Sequence, residues 1–295
     1  MRQRRTPQPS YLITSYPVQM SITFSELRLD LASALAHFLE PGEASAESLR
    51  WFEDGLDWNR AKLASMGDEA ATVEVRHKVG QWLRRRREGE PWAYIIGFER
   101  FRGHRFEVTT ETLIPRPETE LVLEAALEIG HRLGLRKACD IGTGSGILGI
   151  CMALETDWEV TVSDISPGAL KVAKRNAGSL GVRIAFTEGD LLAPIQDPLE
   201  LVVSNPPYID AADAPTLQRE LSFEPAQALF AEEKGLALST ELLHQARGRN
   251  ARAIVLEIGA GQGAELIARA KSFGWKQVVA RQDWAGHDRI LIAEA

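Results

Sequence analysis

From residue 137 to the C-terminus, short apolar runs alternate with segments of helical period. The runs fall near 137–141, 158–164, 182–188, 199–204, 252–258, 276–282 and 288–293, with helices between most of them. Strands this apolar must be covered on both faces. The alternation therefore predicts a mostly parallel sheet between two layers of helices, an α/β fold. No repeat of fixed period and no low-complexity segment interrupts the pattern.

Upstream, residues 24–99 read as helical. Leu27, Leu31, Ala34, Leu35 and Phe38 recur at spacings of three and four, and Pro41-Gly42 breaks that helix. Further helices are expected near 45–53, 57–66 and 68–88. The last ends in Arg84-Arg85-Arg86-Arg87, where cations suit the negative end of the helix dipole. That run is either a solvated helix end or a docking patch for an acidic or RNA-containing partner. Tyr94, Ile95, Ile96, Phe98, Phe101, Phe106 and Val108 suggest short strands turned at Gly97 and Gly103, a β-hairpin connector. Leu113-Ile114-Pro115-Arg116-Pro117 leads into a helix from Glu118 to Ile129. The Arg116 segment is either a helix entry held by prolines or part of a pocket wall.

A length of 295 residues suits about two domains at roughly 150 residues each. The expected division is a helical domain over 21–93, a hairpin linker over 94–115 and the α/β domain over 116–295. Residues 1–20 hold Arg2, Arg4 and Arg5 and three prolines but no apolar core of a signal peptide. They read as a disordered arm, or as a misassigned start with Met20 the true first residue.

Two strings carry chemistry. Asp140-Ile141-Gly142-Thr143-Gly144-Ser145-Gly146 follows the first strand of the α/β region and opens a helix. Its glycines permit a sharp turn and close approach to a ligand, and the helix behind it offers free N–H groups. The next strand ends at Asp164, 18 residues after Gly146, where a ribose-binding carboxylate belongs. Gly144 to Gly149 also satisfies the dinucleotide fingerprint, so on this loop alone a nicotinamide enzyme competes. With the leading acid and the later strand-end acid, the loop resembles that of class I S-adenosylmethionine methyltransferases. A second string, Glu257-Ile258-Gly259-Ala260-Gly261-Gln262-Gly263, lies too near the end to start a nucleotide-binding sheet. It reads as the turn after the fifth strand, with Glu257 able to support a nearby site.

The second chemical string is Asn205-Pro206-Pro207-Tyr208, at the end of the buried strand Leu201-Val202-Val203-Ser204. That strand should neighbour the glycine-loop strand, at the point where open α/β sheets bind ligands. An amide nitrogen is a poor nucleophile because its lone pair is delocalised. Two acceptors, the Asn205 side-chain oxygen and the Pro206 carbonyl, can hold both its hydrogens and aim the nitrogen at an electrophilic methyl. The prolines stiffen the loop and remove competing donors. The Tyr208 ring can cover the flat face of the target and favour developing positive charge. No strong general base is needed, because the nitrogen becomes acidic as the methyl transfers.

Taken together, Thr112 to Glu120, Asp140 to Gly146 and Asn205-Pro206-Pro207-Tyr208-Ile209 resemble the PrmC/HemK family of peptide chain release factor glutamine N5-methyltransferases. Gly89-Glu90-Pro91, Gly97-x-x-x-Phe101 and Phe223-Glu224-Pro225 add to the likeness, which runs from about residue 24 to the end. The resemblance implies a Rossmann-like class I methyltransferase domain joined by a β-hairpin to a small helical substrate-recognition domain. It implies S-adenosylmethionine as cofactor and S-adenosylhomocysteine as product. The substrate would be the glutamine of the Gly-Gly-Gln loop in bacterial class 1 release factors. By position, Asp140, Gly142, Thr143, Gly144, Ser145, Gly146, Asp164, Asp190, Leu191 and Asn205 would bind the cofactor. Asn205, Pro206, Pro207, Tyr208 and Phe101 would form the substrate side, with Asn205, Pro206 and Tyr208 catalytic and Phe101 closing the pocket. One departure stands out. Asp190 is followed by Leu191 and Leu192, where some family members carry an aromatic residue.

Composition then prunes the rivals. Lys and Arg number 34 against 41 Asp and Glu, a net charge of −7, which argues against bulk binding of nucleic acid. A DNA or RNA adenine methyltransferase is disfavoured by that charge and by the lack of a large target-recognition insert. The closest rival is the sister family that methylates a glutamine of a ribosomal protein; Pro117-Glu118-Thr119-Glu120 favours the release-factor branch. A nicotinamide oxidoreductase leaves the Asn205 string unexplained. No run of about 18 apolar residues predicts a membrane span. Cys139 and Cys151 are not in C-x-x-C spacing, so neither a disulfide framework nor a metal site is expected. A monomer in a reduced, cytoplasmic compartment, acting in translation termination, is the expected setting.

Overall fold

The computed structural model describes residues 21–196 and 198–295. The expectations for residues 1–20 lie outside the described residues. Two compact units divide the chain, the first ending at Ile96 and the second running from Gly97 to Ala295.

The first unit is helical: α1 (Phe24–Leu35), α2 (Pro41–Gly55), α3 (Arg60–Met66), α4 (Val73–Arg87) and a short α5 (Trp92–Ile96). Thr23 and Glu26 form a reciprocal capping box that starts α1. Pro41 sits in the first turn of α2, where its missing N–H costs nothing, so the Pro-Gly pair opens a helix rather than only ending one. The core is built on three tryptophans. Trp51 stacks on Trp92 at 4.5 Å, and Trp82 meets both edge-on. This packing also corrects one expectation: Tyr94, Ile95 and Ile96 lie in α5, not in a strand. The Pro91 carbonyl accepts from the Tyr94 and Ile95 amides, and the tryptophan core takes up the apolar face of the turn. The arginine run is likewise divided. Arg86 is 3% exposed and bonds both oxygens of Glu47, while Arg85 pairs with Glu90 and donates to the Ile95 carbonyl. Those two side chains hold helices together.

The second unit opens with the hairpin β1 (Phe98–Phe101) and β2 (His104–Glu107). Its two-residue turn, Arg102-Gly103, has φ of 49° and 77°, as a hairpin turn twisted with its strands requires. An arginine is unusual there. Its amide donates to Glu120, and its guanidinium reaches Glu124 and Glu155, which offsets the local strain. Of the segment expected as a linker, residues 94–96 belong to the first unit and 97–115 to this one, with the division at 96/97.

After it come α6 (Thr119–Leu133), β3 (Lys137–Ile141), α7 (Ile147–Glu155), β4 (Glu159–Asp164), α8 (Pro167–Ser179), β5 (Ala185–Glu188) and β6 (Leu201–Ser204). A short pair, β7 (Ile209–Asp210) and β8 (Phe230–Ala231), brackets three 3₁₀ turns; α9 (Ala237–Gly248), β9 (Ala253–Glu257), α10 (Gly263–Ser272), β10 (Gln277–Gln282) and β11 (Asp288–Glu294) complete the chain. The main sheet has the order β10-β11-β9-β6-β3-β4-β5. Its first five strands in sequence run parallel, and β11 and β10 add antiparallel at one edge. Alternate side chains face opposite layers. Ala138, Val160, Val162, Leu201, Val203 and Val255 pack with α6 and α7; Cys139, Ile141, Val202, Ile254 and Leu256 pack with α9 and α10. Both cysteines are buried free thiols, and burial pushes each up to about 12, so neither is a nucleophile. No helix of the described residues is long and apolar enough to cross a membrane.

One side chain ties the hairpin to the glycine loop. Asn176 of α8 accepts from the Glu107 amide at 2.7 Å and donates to the Glu107 and Ser145 carbonyls at 3.0 and 2.8 Å. It is buried, so removing it strands three backbone groups. Asn176→Ala is expected to lower stability by about 2–3 kcal/mol, read as a lower urea midpoint with unchanged slope.

Candidate active site

The site forms where the carboxyl ends of β3, β4 and β6 meet. The glycine loop leaves β3 with Gly142, Gly144 and Gly146 at φ of 66°, 57° and 89°. L-residues with side chains rarely adopt these angles, so every second residue must be glycine. The Thr143 amide donates to the Ser163 carbonyl at 2.9 Å, which docks the loop on the end of β4.

Asp140 is buried at the root of the loop. Its Oδ2 accepts from the Thr143 hydroxyl at 2.6 Å and the Gly149 amide at 2.9 Å. Its Oδ1 is buried without a partner. Burial pushes the Asp140 carboxyl up to about 6, and the nearby Asp164 charge acts the same way against the two hydrogen bonds. Asp164, at the end of β4, accepts from the Gly144 and Ser166 amides, each at 2.9 Å. Burial raises it above the usual carboxylate range. The Ile165 amide adds a third hydrogen bond, and the carboxylate keeps acceptor capacity for a ligand hydroxyl.

A cavity of about 430 Å³ opens from this loop, a size suited to a small-molecule ligand. Asp140, Gly142, Thr143, Gly144, Ser145, Asp164, Asp190, Leu191, Asn205 and Pro207 all line it. Ile165 and Leu191 supply apolar wall beside the two acids. Leu191, the residue the sequence marked as a departure, lines the cavity and has φ of 44°, a left-handed conformation rare for a leucine. Four expected residues do not line the cavity. Gly146 caps α7 against Ala173, and Pro206 is buried behind the loop. Tyr208 points its hydroxyl at Glu257. Phe101 is 2% exposed and packs edge-on against Phe106 in the core; both belong to one apolar cluster, so its ring is not free to close a pocket.

The opposite wall joins the Arg116 segment, for which a pocket wall was one of two sequence readings, to a second segment that was not read as part of the site. Glu111, Leu113 and Pro115 come from the segment before α6, and Pro225, Ala228 and Phe230 from the segment before α9. Buried Glu224 joins these two segments. It accepts from the Ile114 amide at 2.9 Å and pairs with the Arg116 guanidinium. The repeated prolines were a visible signal, but their partner lies 108 positions away. Arg116 thus braces the wall.

Beneath Asn205 lies a polar network. The Asn205 Nδ2 donates to Thr119 Oγ1 at 3.3 Å; Thr119 Oγ1 donates to Glu257 Oε2 at 2.7 Å; the Tyr208 hydroxyl donates to Glu257 Oε1 at 3.1 Å. Glu257 is fully buried at the end of β9, and burial raises its carboxyl against these hydrogen bonds. Burial first, and then the Glu257 charge, hold the Tyr208 phenol well above its ordinary range. Gln262 fastens the far end of the loop, donating to the Tyr208 carbonyl at 3.0 Å and the Lys234 carbonyl at 3.2 Å. Gly235, at φ of 82°, leaves the Tyr208 carbonyl no room for a Cβ on that side. The second glycine string therefore sits after the fifth strand of the sheet and braces the Asn205 loop from behind.

The family model described as "Methyltransferase small domain" matches residues 119–231, and "PrmC N-terminal domain" matches residues 30–97. The chain is 39% identical over 258 residues to the release factor glutamine methyltransferase of Bordetella pertussis, covering 85% of this chain and 95% of that one. With the enzyme of the same name from Deinococcus radiodurans it shares 33% over 273 residues, 91% and 98% of the two chains. Among solved structures, the hMettl16 catalytic domain in complex with MAT2A 3'UTR hairpin 6 superposes with a TM-score of 0.54 at 16% identity, over 76% of this chain and 82% of that one. That likeness is one of fold, the class I methyltransferase fold.

The buried, half-satisfied Asp140 is a cost to the ligand-free protein. Its folded-state value of about 6 lies above the ordinary 3.8, so the protonated acid favours folding and ionisation opposes it. Asp140→Asn is expected to stabilise the ligand-free chain by about 1–2 kcal/mol at pH 7. The gain should shrink toward zero as pH falls from 6 to 4, measured by urea unfolding across that range.

Proposed function

The chain belongs to the family of release factor glutamine methyltransferases, and from that membership we propose its reaction: methyl transfer from S-adenosylmethionine to the side-chain amide N5 of the glutamine in the Gly-Gly-Gln loop of class 1 peptide chain release factors. One observation carries the reading. β6 pairs directly with β3, so Asn205 opens into the same cavity as the glycine loop.

The residues present fit the cofactor. The unpartnered Oδ1 of Asp140 calls for a donor, which an ammonium group supplies. Space is open where side chains would stand at Gly142 and Gly144. Asp164 has lone pairs for ribose hydroxyls, and Ile165 and Leu191 suit the faces of a flat ring. When bound, the cofactor supplies an electrophilic methyl on a sulfonium, and S-adenosylhomocysteine is the product.

The chain's own residues supply orientation. With Nδ2 turned inward to Thr119, Asn205 keeps Oδ1 as an acceptor for one substrate N–H. This reading assigns the other to the Pro206 main-chain carbonyl, between the cavity-lining Asn205 and Pro207, with the residue itself buried. Held by both, the amide nitrogen aims its lone pair at the methyl; this is positioning catalysis. The Tyr208 ring backs the amide, and its phenol stays protonated, so it is not the base. The nitrogen's surplus proton is lost to water once the methyl is in place. The same reading gives the helical unit a part in gripping the protein substrate, and describes a monomeric cytoplasmic enzyme that needs no metal.

The test is transfer of label from methyl-labelled S-adenosylmethionine to purified release factor. Label should depend on the Gly-Gly-Gln glutamine; equal labelling after its replacement would overturn the reading, and preferential labelling of ribosomal protein or RNA would move it to a rival. Asn205→Ala should keep S-adenosylmethionine affinity within about tenfold and lose on the order of 10²-fold in turnover. Cofactor affinity should also fall with acid. Protonation of Asp140 below about 6 removes the charge that meets the ammonium. The dissociation constant should rise about tenfold between pH 7.5 and 5, and calorimetry on Asp140→Asn should show a weaker but flatter profile.

A further inference from the structure

We infer that Glu257 and Thr119 form a relay that sets which end of the Asn205 side-chain amide faces the substrate. The inference deepens the glutamine reading and rests on it. Neither residue lines the cavity, so both act through Asn205.

The argument follows hydrogen count. Both oxygens of Glu257 accept from hydroxyls, and a hydroxyl has one hydrogen to give. Glu257 is fully buried, with Oε1 taken by the Tyr208 hydroxyl and Oε2 by the Thr119 hydroxyl. Thr119 is also fully buried. Its single hydrogen is committed to Glu257 at 2.7 Å, so toward Asn205 it can offer only lone pairs. The group facing it there, at 3.3 Å, is the Nδ2 donor. The reverse orientation would set the Asn205 oxygen against the Thr119 lone pairs.

Orientation matters because the two ends of an amide are nearly equal in shape and opposite in chemistry. A substrate NH2 needs an acceptor. If Asn205 turned over, two NH2 groups would confront each other and the nitrogen would not be held. Each link lies on a different element: Glu257 ends β9, Thr119 begins α6, and Asn205 follows β6. No local sequence motif contains the relay. It also accounts for a fully buried carboxylate that touches neither cofactor pocket nor solvent, a costly arrangement without such a role.

Thr119→Val removes the hydroxyl at constant shape. It should cut kcat for release factor on the order of 10²-fold. KM and the S-adenosylmethionine dissociation constant should stay within about threefold, a split that positioning predicts. Thr119→Ser restores the hydroxyl and should recover kcat to within about threefold of the parent. Glu257→Gln, which offers donors where the relay needs an acceptor, should fall with Thr119→Val. Parent-like kcat in Thr119→Val, or equal losses in the Val and Ser variants, would overturn the relay. A second arm does not depend on the substrate's identity. In the protein alone, the Asn205 side-chain NH2 signals, assigned by their loss in Asn205→Ala, should exchange with solvent at least about tenfold faster in Thr119→Val than in Thr119→Ser. Equal exchange would sink the relay even if another methyl acceptor were found. If the parent leaves release factor unlabelled while the exchange difference holds, the substrate assignment fails and the relay stands.

Discussion

The parallel pairing of β3 with β6 is the constraint on which the site depends. Asp140 lies opposite Val203 and Ile141 opposite Ser204. The buried Ser204 hydroxyl donates to the Ile141 carbonyl at 2.6 Å, which adds a side-chain bond at the last rung of the ladder. Neighbouring strands stand about 4.8 Å apart. The loop that turns on glycines and the loop that begins with Asn205 must therefore leave the sheet side by side. β4 extends the row on one side with Asp164, and β9 extends it on the other with Glu257. Four adjacent strand ends thus deliver three carboxylates and one amide to a single edge.

Burying carboxylates at one edge works against stability, and the fold answers in two ways. Glu224 is met by Arg116, and the pair braces segments distant in sequence. Among the described residues Asp140 and Glu257 have no cation hydrogen-bonded to them and are held by hydroxyls, with an amide besides at Asp140. Burial consequently raises both above the ordinary carboxylate range. Acceptors kept short of donors are poised for a ligand or for a relay, and this separates the working acids from the bracing one.

Much of this was legible along the chain. The strand–helix alternation foretold a sheet covered on both faces, because apolar runs flanked by helical period have few other ways to leave water. The β6 strand was expected beside β3, and it is. Errors arose where a distant partner decides. Tyr94, Ile95 and Ile96 have the composition of a strand, but the tryptophan core and Pro91 make them a helix turn. For the arginine run a solvated helix end and a docking patch both stood open, and Glu90 and Glu47 engage Arg85 and Arg86. Phe101 shares a family motif with the pocket and is spent on Phe106.

The amino-acid sequence by itself determined the class of the fold and the chemistry of its two loops. Periodicity, glycine's access to left-handed backbone and proline's lack of an N–H are local properties. Tertiary structure alone decided the polarity of the site. Which end of Asn205 faces out and what Arg116 pairs with depend on groups 86 and 108 positions away. Hydrogen-bond direction is set by partners in space, and only the folded sheet brings those partners together.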